Sequence, residues 1–402
     1  MTINTTGLEL RNILAKDNST QEVTETFKSK CVALVRNYLG GAWLNVRHAD
    51  CDIKQITGGM SNILFKIDLP DNISVIGNQP KSTLLRLHGT DNAMALIIDT
   101  IIFTILSERQ MGPKLYGIFD GGRFEEYIPS RCLIRTELRH SVVNQFLGKM
   151  YGKIHTLSCP INKEPMLFLS ASGWINEVEK AYGSEHVFQI KTTQVNQKYL
   201  NNPIKNISIA QLRQELDILN KCMIASKSPI VFAHNDLQEG NILLKNKYAL
   251  SDNGQLSSES NEDLDVDDAF TVIDYEYSNY NYRGFDFGNH FCEWGIGYEE
   301  TNAPGYTINY QDFPTTKQMK PLIQCYLDEL NNTSHDTTDD VETIALEAER
   351  FMPVSHFFWA CWAFKMELNK EIDFGYQEYG MDRLSIYFEN KHKLQEYLWL
   401  NC

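Results

Sequence analysis

Asp236, Asn241 and Asp274 are the residues of this 402-residue chain whose types and spacing best fit a chemical task. Residues 231–244 read Val-Phe-Ala-His-Asn-Asp-Leu-Gln-Glu-Gly-Asn-Ile-Leu-Leu, with apolar residues leading into a polar cluster and out of it. That pattern is a strand, a loop and a strand. The loop sets a carboxylate, Asp236, five positions before an amide, Asn241, and the β-rich run 270–273 ends in a second carboxylate, Asp274. A carboxylate can take the proton of a substrate hydroxyl, and an amide oxygen with a second carboxylate can hold a hard cation beside it. Magnesium takes oxygen ligands in an octahedron and keeps several waters. Asn241, Asp274 and two nucleotide phosphates suit it, with Gln238 as a further donor. The chemistry indicated is phosphoryl transfer from a magnesium-bound nucleotide to an alcohol. Asn, Asp and Gly are also ordinary turn formers, so a plain hairpin is the competing reading of the loop alone.

The order of the motifs adds weight. The protein-kinase catalytic loop is H-R-D-x-x-x-x-N, and residues 234–241 keep that spacing with Asn235 at the Arg position. Asp274-Tyr275-Glu276 stands where kinases carry D-F-G, with the Asp and the aromatic but not the Gly. No G-x-x-x-x-G-K occurs, so a Walker loop is excluded, and the absence of A-P-E and of an activation loop disfavours a protein kinase. Gly58-Gly59-Met60-Ser61-Asn62 lies between strand-like runs, the setting of a kinase glycine loop that approaches phosphate through its backbone. His234 reads as a structural brace, not a base. Arg283 and Asp286 read as loop-bracing ions, with an acceptor-site role for Asp286 left open.

Residues 234–243, His-Asn-Asp-Leu-Gln-Glu-Gly-Asn-Ile-Leu, together with residues 273–294, from Ile-Asp-Tyr-Glu-Tyr to Phe-Cys-Glu-Trp, resemble the signature of the choline kinases. The resemblance runs from about residue 55 to near the C-terminus. It implies an α+β, two-lobed fold of the protein-kinase and aminoglycoside-phosphotransferase type, with a small mixed N-lobe sheet (1–128) and a large, mainly helical C-lobe (129–402). It implies ATP-dependent phosphorylation of choline to phosphocholine, the first step of phosphatidylcholine synthesis by the CDP-choline route, with Mg2+ and ATP required. By the same resemblance Arg86 holds phosphate, the backbone of Glu126, Tyr127 and Ile128 meets adenine, and the protein is a homodimer. The choline pocket maps onto Glu293, Tyr298, Trp359, Trp362 and Tyr379, with Ile372 and Phe374 lining its wall. Gly305 stands where relatives often present an aromatic, which implies a wider pocket.

The residues bear on that pocket independently. Aromatic clusters ordinarily mean core. Trp359 and Trp362, however, are three apart on a helix that Pro353 could open, and so share a face. A quaternary ammonium cannot donate a hydrogen bond and is held by ring faces, at about 0.5–2 kcal/mol each. An ethanolamine kinase, or a dual choline/ethanolamine kinase, is the nearest alternative; a primary ammonium wants hydrogen-bond acceptors more than rings. An aminoglycoside-type pocket would be rich in acids, and an inactive scaffold would have no need of Asp236, Asn241, Asp274 and Arg86 together.

Net charge is −15, which disfavours nucleic acid and anionic membrane surfaces as partners. Nine cysteines without C-x-x-C pairs, and an N-terminus unlike a signal peptide, point to a reduced, cytoplasmic protein. The elements expected to position the site are strands at 53–57, 63–69 and 82–88 and helices at 23–39, 93–110, 138–157 and 208–226. Asp99, set among isoleucines, is the expected partner of Arg86. Residues 251–268, rich in Ser and acids, read as a flexible insert.

Overall fold

The computed structural model describes residues 6–16, 23–56, 62–89, 92–189, 195, 204–258, 264–298, 303–333, 338–369 and 374–399. The chain divides into two compact units, Met1–Ser130 and Arg131–Cys402.

In the first unit α1 (Gly7–Lys16) and α2 (Glu25–Leu39) precede a five-stranded sheet. Thr24 caps α2 by accepting from the Phe27 amide. The strands are β1 (Asp52–Ile56), β2 (Asn62–Asp68), β3 (Ser82–His88), β4 (Leu115–Phe119) and β5 (Gly122–Glu126), with α3 (Ala93–Glu108) between β3 and β4. Their order is β1-β2-β3-β5-β4, and every neighbouring pair is antiparallel. Alternation along β3 buries Leu85 and Leu87 in a core shared with Phe65, Ile67, Phe27 and Val35. Arg86 therefore points from the other face, where the register sets it opposite Arg123 of β5.

The second unit is mainly helical. It contains α4 (Ser141–His155), α5 (Leu167–Tyr182), α6 (Ile209–Ser226), the one-turn α7 (Val266–Ala269), α8 (Arg283–Glu293), α9 (Thr316–Asn332), α10 (Val341–Met366) and α11 (Tyr376–Trp399). One core cluster gathers apolar residues of α5, α6, α8, α10 and α11. Two short antiparallel pairs flank the expected catalytic loop: Ile230–Ala233 with Asn279–Tyr282, and Ile242–Lys245 with Phe270–Val272.

Two expectations change. Pro353 does not open its helix; it lies inside α10, whose buried Ile344, Ala345, Ala348 and Phe351 already dock the turns before it, so packing outweighs the missing hydrogen bond. The 251–268 insert holds structure at both ends. Tyr248–Leu250 pairs with Leu256–Ser258, and Asp265 caps α7. Asp268 binds Lys245 and Lys247, so acids expected to be solvated are partnered. Residues 259–263 lie outside the described ones. Among the described residues no helix is long and apolar enough to cross a membrane, and the apolar run 93–106 forms most of α3.

Glycine sets the approach of α8 to α10. A Cβ on Gly288 would stand 2.9 Å from Met352 N and 3.0 Å from Ala348 O, both backbone atoms that cannot swing aside. Gly288→Val should therefore cost about 1–3 kcal/mol in urea unfolding and lower turnover through displacement of α8. Wild-type stability in that variant would show that the seam is loose.

Candidate active site

The 234–241 loop is held by its own sequence and by α8. Asn235 adopts φ 66°, a left-handed conformation that Asn tolerates. Its side chain is spent internally, donating to Tyr277 O at 2.9 Å and accepting from Asn281 Nδ2 at 2.9 Å. This is why an amide stands where protein kinases carry Arg. Asp286 accepts from the amides of His234 (2.9 Å) and Asn235 (2.7 Å), and its Oδ2 also meets His155 Nε2 at 3.1 Å. Burial alone would raise the Asp286 carboxyl, but the hydrogen bonds from His155 and from the Asn235 amide outweigh it and hold it low. Asp286 is thus a loop brace. His234 is one too: Nε2 donates to Ile273 O at 3.1 Å, Nδ1 accepts from the Asp236 amide at 3.3 Å, and burial keeps the ring neutral.

Asp236 and Asn241 come together as the spacing required. Asn241 Nδ2 donates to Asp236 O at 2.7 Å and to Asp236 Oδ2 at 3.1 Å. Both partners are acceptors, so the nitrogen end is fixed and Oδ1 faces away from Asp236. The Ile273 amide donates to Asn241 O at 2.9 Å, which sets Asp274 next to Asn241 across the strand pair. Asp274 has φ 63°, a conformation rare for a non-glycine residue that takes its carboxylate out of the strand line. Burial raises the Asp236 carboxyl well above its usual range; Glu293, Asp274 and Glu276 add to the rise, and the Asn241 bond opposes it.

Gln238 Oε1 accepts from Gly240 N at 2.7 Å, capping the turn Glu239–Asn241; that bond uses one lone pair of the oxygen and leaves the other for a cation. Among the described residues no three His, Cys, Asp or Glu side chains converge on a point. Magnesium does not require that, because it is bound through one or two protein oxygens plus phosphates and water. Asn241 Oδ1 and the Asp274 carboxylate fit such a site.

The residues expected to line a choline pocket come from α8, α10 and α11 and the segments beside them. Glu293, at the end of α8, is buried; Tyr298 OH donates to its Oε2 at 3.0 Å and lies 2.9 Å from Tyr379 OH. Burial raises the Glu293 carboxyl, against the opposing charge of Arg383. Trp359 and Trp362 have ring centroids 5.4 Å apart with planes at 81°, so they meet edge to face and not in parallel. Tyr277 stands edge to face on Trp359 at 5.2 Å, which completes an aromatic corner. Phe374 packs on Tyr379 and Tyr306. Ile372 lies outside the described residues. One position on from Gly305, Tyr306 is fully buried, bonded to Asp382 at 2.7 Å and packed edge to face on Tyr379.

The choline/ethanolamine kinase family model matches residues 53–388. The chain belongs to that family. Choline kinase A2 of Caenorhabditis elegans is 38% identical over 398 residues, covering 96% of this chain and 91% of the relative. A choline/ethanolamine kinase of Rattus norvegicus is 35% identical over 370 residues, covering 90% and 86%. A solved choline kinase from Cryptosporidium parvum superposes with a TM-score of 0.69 at 24% identity, covering 92% of this chain and 98% of that one, which bears on the fold. The two-lobed kinase fold expected of the sequence, a small sheet unit and a mainly helical one, is present.

In the sheet unit of this kinase the ion pairs differ from expectation. Arg86 Nε donates to Glu125 Oε1 at 2.7 Å, and Arg123 Nε donates to the same oxygen at 2.6 Å. Asp99 pairs with Arg123, not with Arg86. The β3–β5 register explains this, since it sets Arg123 beside Arg86 with Glu125 on the same face two residues on. Burial would raise the Glu125 carboxyl, but Arg86 and Arg123 outweigh it and keep it low. Of the expected adenine segment, Glu126 donates its amide to Lys114 O at 2.8 Å, and Ile128 O accepts from Ser130 Oγ at 2.8 Å. Lys66 Nζ lies 4.6 Å from the Tyr127 ring. Asn62 opens β2; Gly58, Gly59, Met60 and Ser61 lie outside the described residues.

Sequence reasoning missed Asn289, His290 and Arg383. Asn289 Nδ2 donates to Asn235 O at 3.1 Å, and its Oδ1 accepts from Trp359 Nε1 at 2.7 Å, so one amide ties the 234–241 loop to Trp359. His290 Nδ1 meets Leu237 O at 2.9 Å, and burial takes the ring down to about 4, so it stays neutral as a donor. Asp286, Asn289, His290 and Glu293 follow the three- and four-residue spacing of one helix face. Polar residues at that interval among aromatics were the available signal.

Proposed function

We propose that this kinase transfers the γ-phosphoryl group of ATP to the hydroxyl of choline, giving phosphocholine and ADP, the entry to phosphatidylcholine synthesis by the CDP-choline route. The observation that carries the reading is the setting of Asp236, which Asn241 holds at 2.7 and 3.1 Å and whose carboxyl Glu293 and Asp274 both raise. The hydroxyl proton passes to Asp236 as the oxygen attacks the γ-phosphorus in line, and the bond to the β,γ-bridging oxygen breaks. Glu293 and the faces of Trp359, Trp362, Tyr298 and Tyr379 hold the trimethylammonium, with Phe374 behind them. Asn241 and Asp274 would hold Mg2+, which when bound neutralises charge on the β- and γ-phosphates. Arg86 and residues 58–62 hold those phosphates, and the backbone of Tyr127 and Ile128 takes the adenine. The same reading has the enzyme acting as a cytoplasmic homodimer with small-molecule substrates and neither nucleic acid nor membrane as partner.

The relatives carry choline and ethanolamine in their names, and the rings of the pocket favour choline. Purified protein with ATP, Mg2+ and either alcohol decides it; product from neither alcohol would end the proposal. Asp274→Ala should raise the Mg2+ concentration for half-maximal rate by about 10-fold or more. An unchanged Mg2+ titration would remove Asp274 from the metal.

A further inference from the structure

Arg383 of α11 is fully buried, yet it lies against a pocket read above as one for a cation. A buried like charge weakens the attraction of any cationic substrate, so its presence calls for a function. Its Nη1 donates to Tyr379 OH at 3.0 Å and reaches Glu293 Oε1 at 3.4 Å, and its Nη2 donates to Ser355 Oγ at 2.8 Å. The other Glu293 oxygen takes the Tyr298 hydroxyl at 3.0 Å. The indole N–H groups are also committed: Trp359 Nε1 to Asn289 Oδ1 at 2.7 Å and Trp362 Nε1 to Tyr277 OH at 3.0 Å. The polar atoms of the pocket thus bond to one another. What they leave for a ligand is ring faces and one carboxylate partly offset by a guanidinium behind it.

That arrangement separates two classes of cation. A quaternary ammonium needs only ring faces and a non-directional field. A primary ammonium gives up three hydrogen bonds to water on entry and must regain them from acceptors, or bear the cost of buried unpaired N–H groups. A donor placed on each Glu293 oxygen takes up part of its capacity and leaves a primary ammonium fewer acceptor sites where it most needs them.

We infer that Arg383 is a specificity-determining positioning residue: with Tyr298 it engages both oxygens of Glu293 and so biases the pocket toward quaternary over primary ammonium alcohols. The inference rests on the pocket being the amino-alcohol site. It is an instance of selectivity obtained by disfavouring the wrong substrate.

The test is kcat/KM for choline, N,N-dimethylethanolamine and ethanolamine at saturating MgATP in wild type, Arg383→Met and Tyr298→Phe. Arg383→Met should move the choline-to-ethanolamine ratio toward ethanolamine by about 10-fold, equivalent to about 1.4 kcal/mol, with the dimethyl alcohol in between. Tyr298→Phe should move it the same way by less. A purely structural role would lower both substrates alike, and an unchanged ratio in a folded Arg383→Met protein overturns the inference. Should that variant fail to fold, Tyr298→Phe decides alone, since its side chain is only half-buried and an unchanged ratio there also overturns it. A wild type that prefers ethanolamine overturns the inference while leaving a kinase of amino alcohols. A wild type that phosphorylates none of the three removes the proposed function itself, which is a separate result.

Discussion

Asp236→Ala should lower kcat by about 10²–10⁴-fold, the range expected for removal of a positioned proton acceptor, while the KM for ATP changes little. The structure makes the result readable as chemistry. The Asp236 carboxylate contributes only the longer of the two bonds to Asn241, at 3.1 Å, and the 2.7 Å bond to its backbone carbonyl survives truncation. The loop keeps its other ties, through His234, Asn235 and Asp286. Asp236→Asn should fall as far, since an amide fills the space but does not take the proton. If the Asn variant instead retains most of the turnover, Asp236 only orients the alcohol.

Asp286→Ala should be damaging for a different reason. It strips the acceptor from two buried loop amides and from the buried His155. Breaking such a buried charged cluster costs about 3–5 kcal/mol. Chemical denaturation should show a loss of that size, accompanied by lost turnover because the 234–241 loop is no longer shaped. Asp286→Asn keeps one acceptor oxygen and should be milder in both. An Asp286→Ala protein with wild-type stability and a normal rate would show that the loop is held elsewhere.

The parts of the site that were legible in the sequence are those whose logic is local. Asp236 and Asn241 are five residues apart in one loop, and the strands around them alternate or cluster in apolar character. The fold followed from the same motifs and their resemblance to a family. What could not be read is set by distant pairings. Asp286 receives amides 51 and 52 positions earlier, and nothing at either place marks the other. Asp99 and Glu125 were both available to Arg86, and only the strand register decides between them. α8 escaped notice because all eleven of its residues are buried, so its polar face, Asp286, Asn289, His290 and Glu293, serves partners inside the protein and not solvent. Gln238 also caps a turn, and that bond becomes visible only in three dimensions.

α8 has a further consequence. It bonds the amides just before Asp236 through Asp286 at one end and presents Glu293 at the other. Seven residues of helix separate those points by about 10 Å, and neither end can slide, because the helix is a stiff rod seated on α10. On the proposed reading, the helix is a fixed gauge between the place that takes a positive head and the place that activates an oxygen. An amino alcohol one methylene longer would overshoot the mark by roughly a carbon–carbon bond, and a misplacement of about 1 Å is enough to cost a reaction of this kind much of its speed.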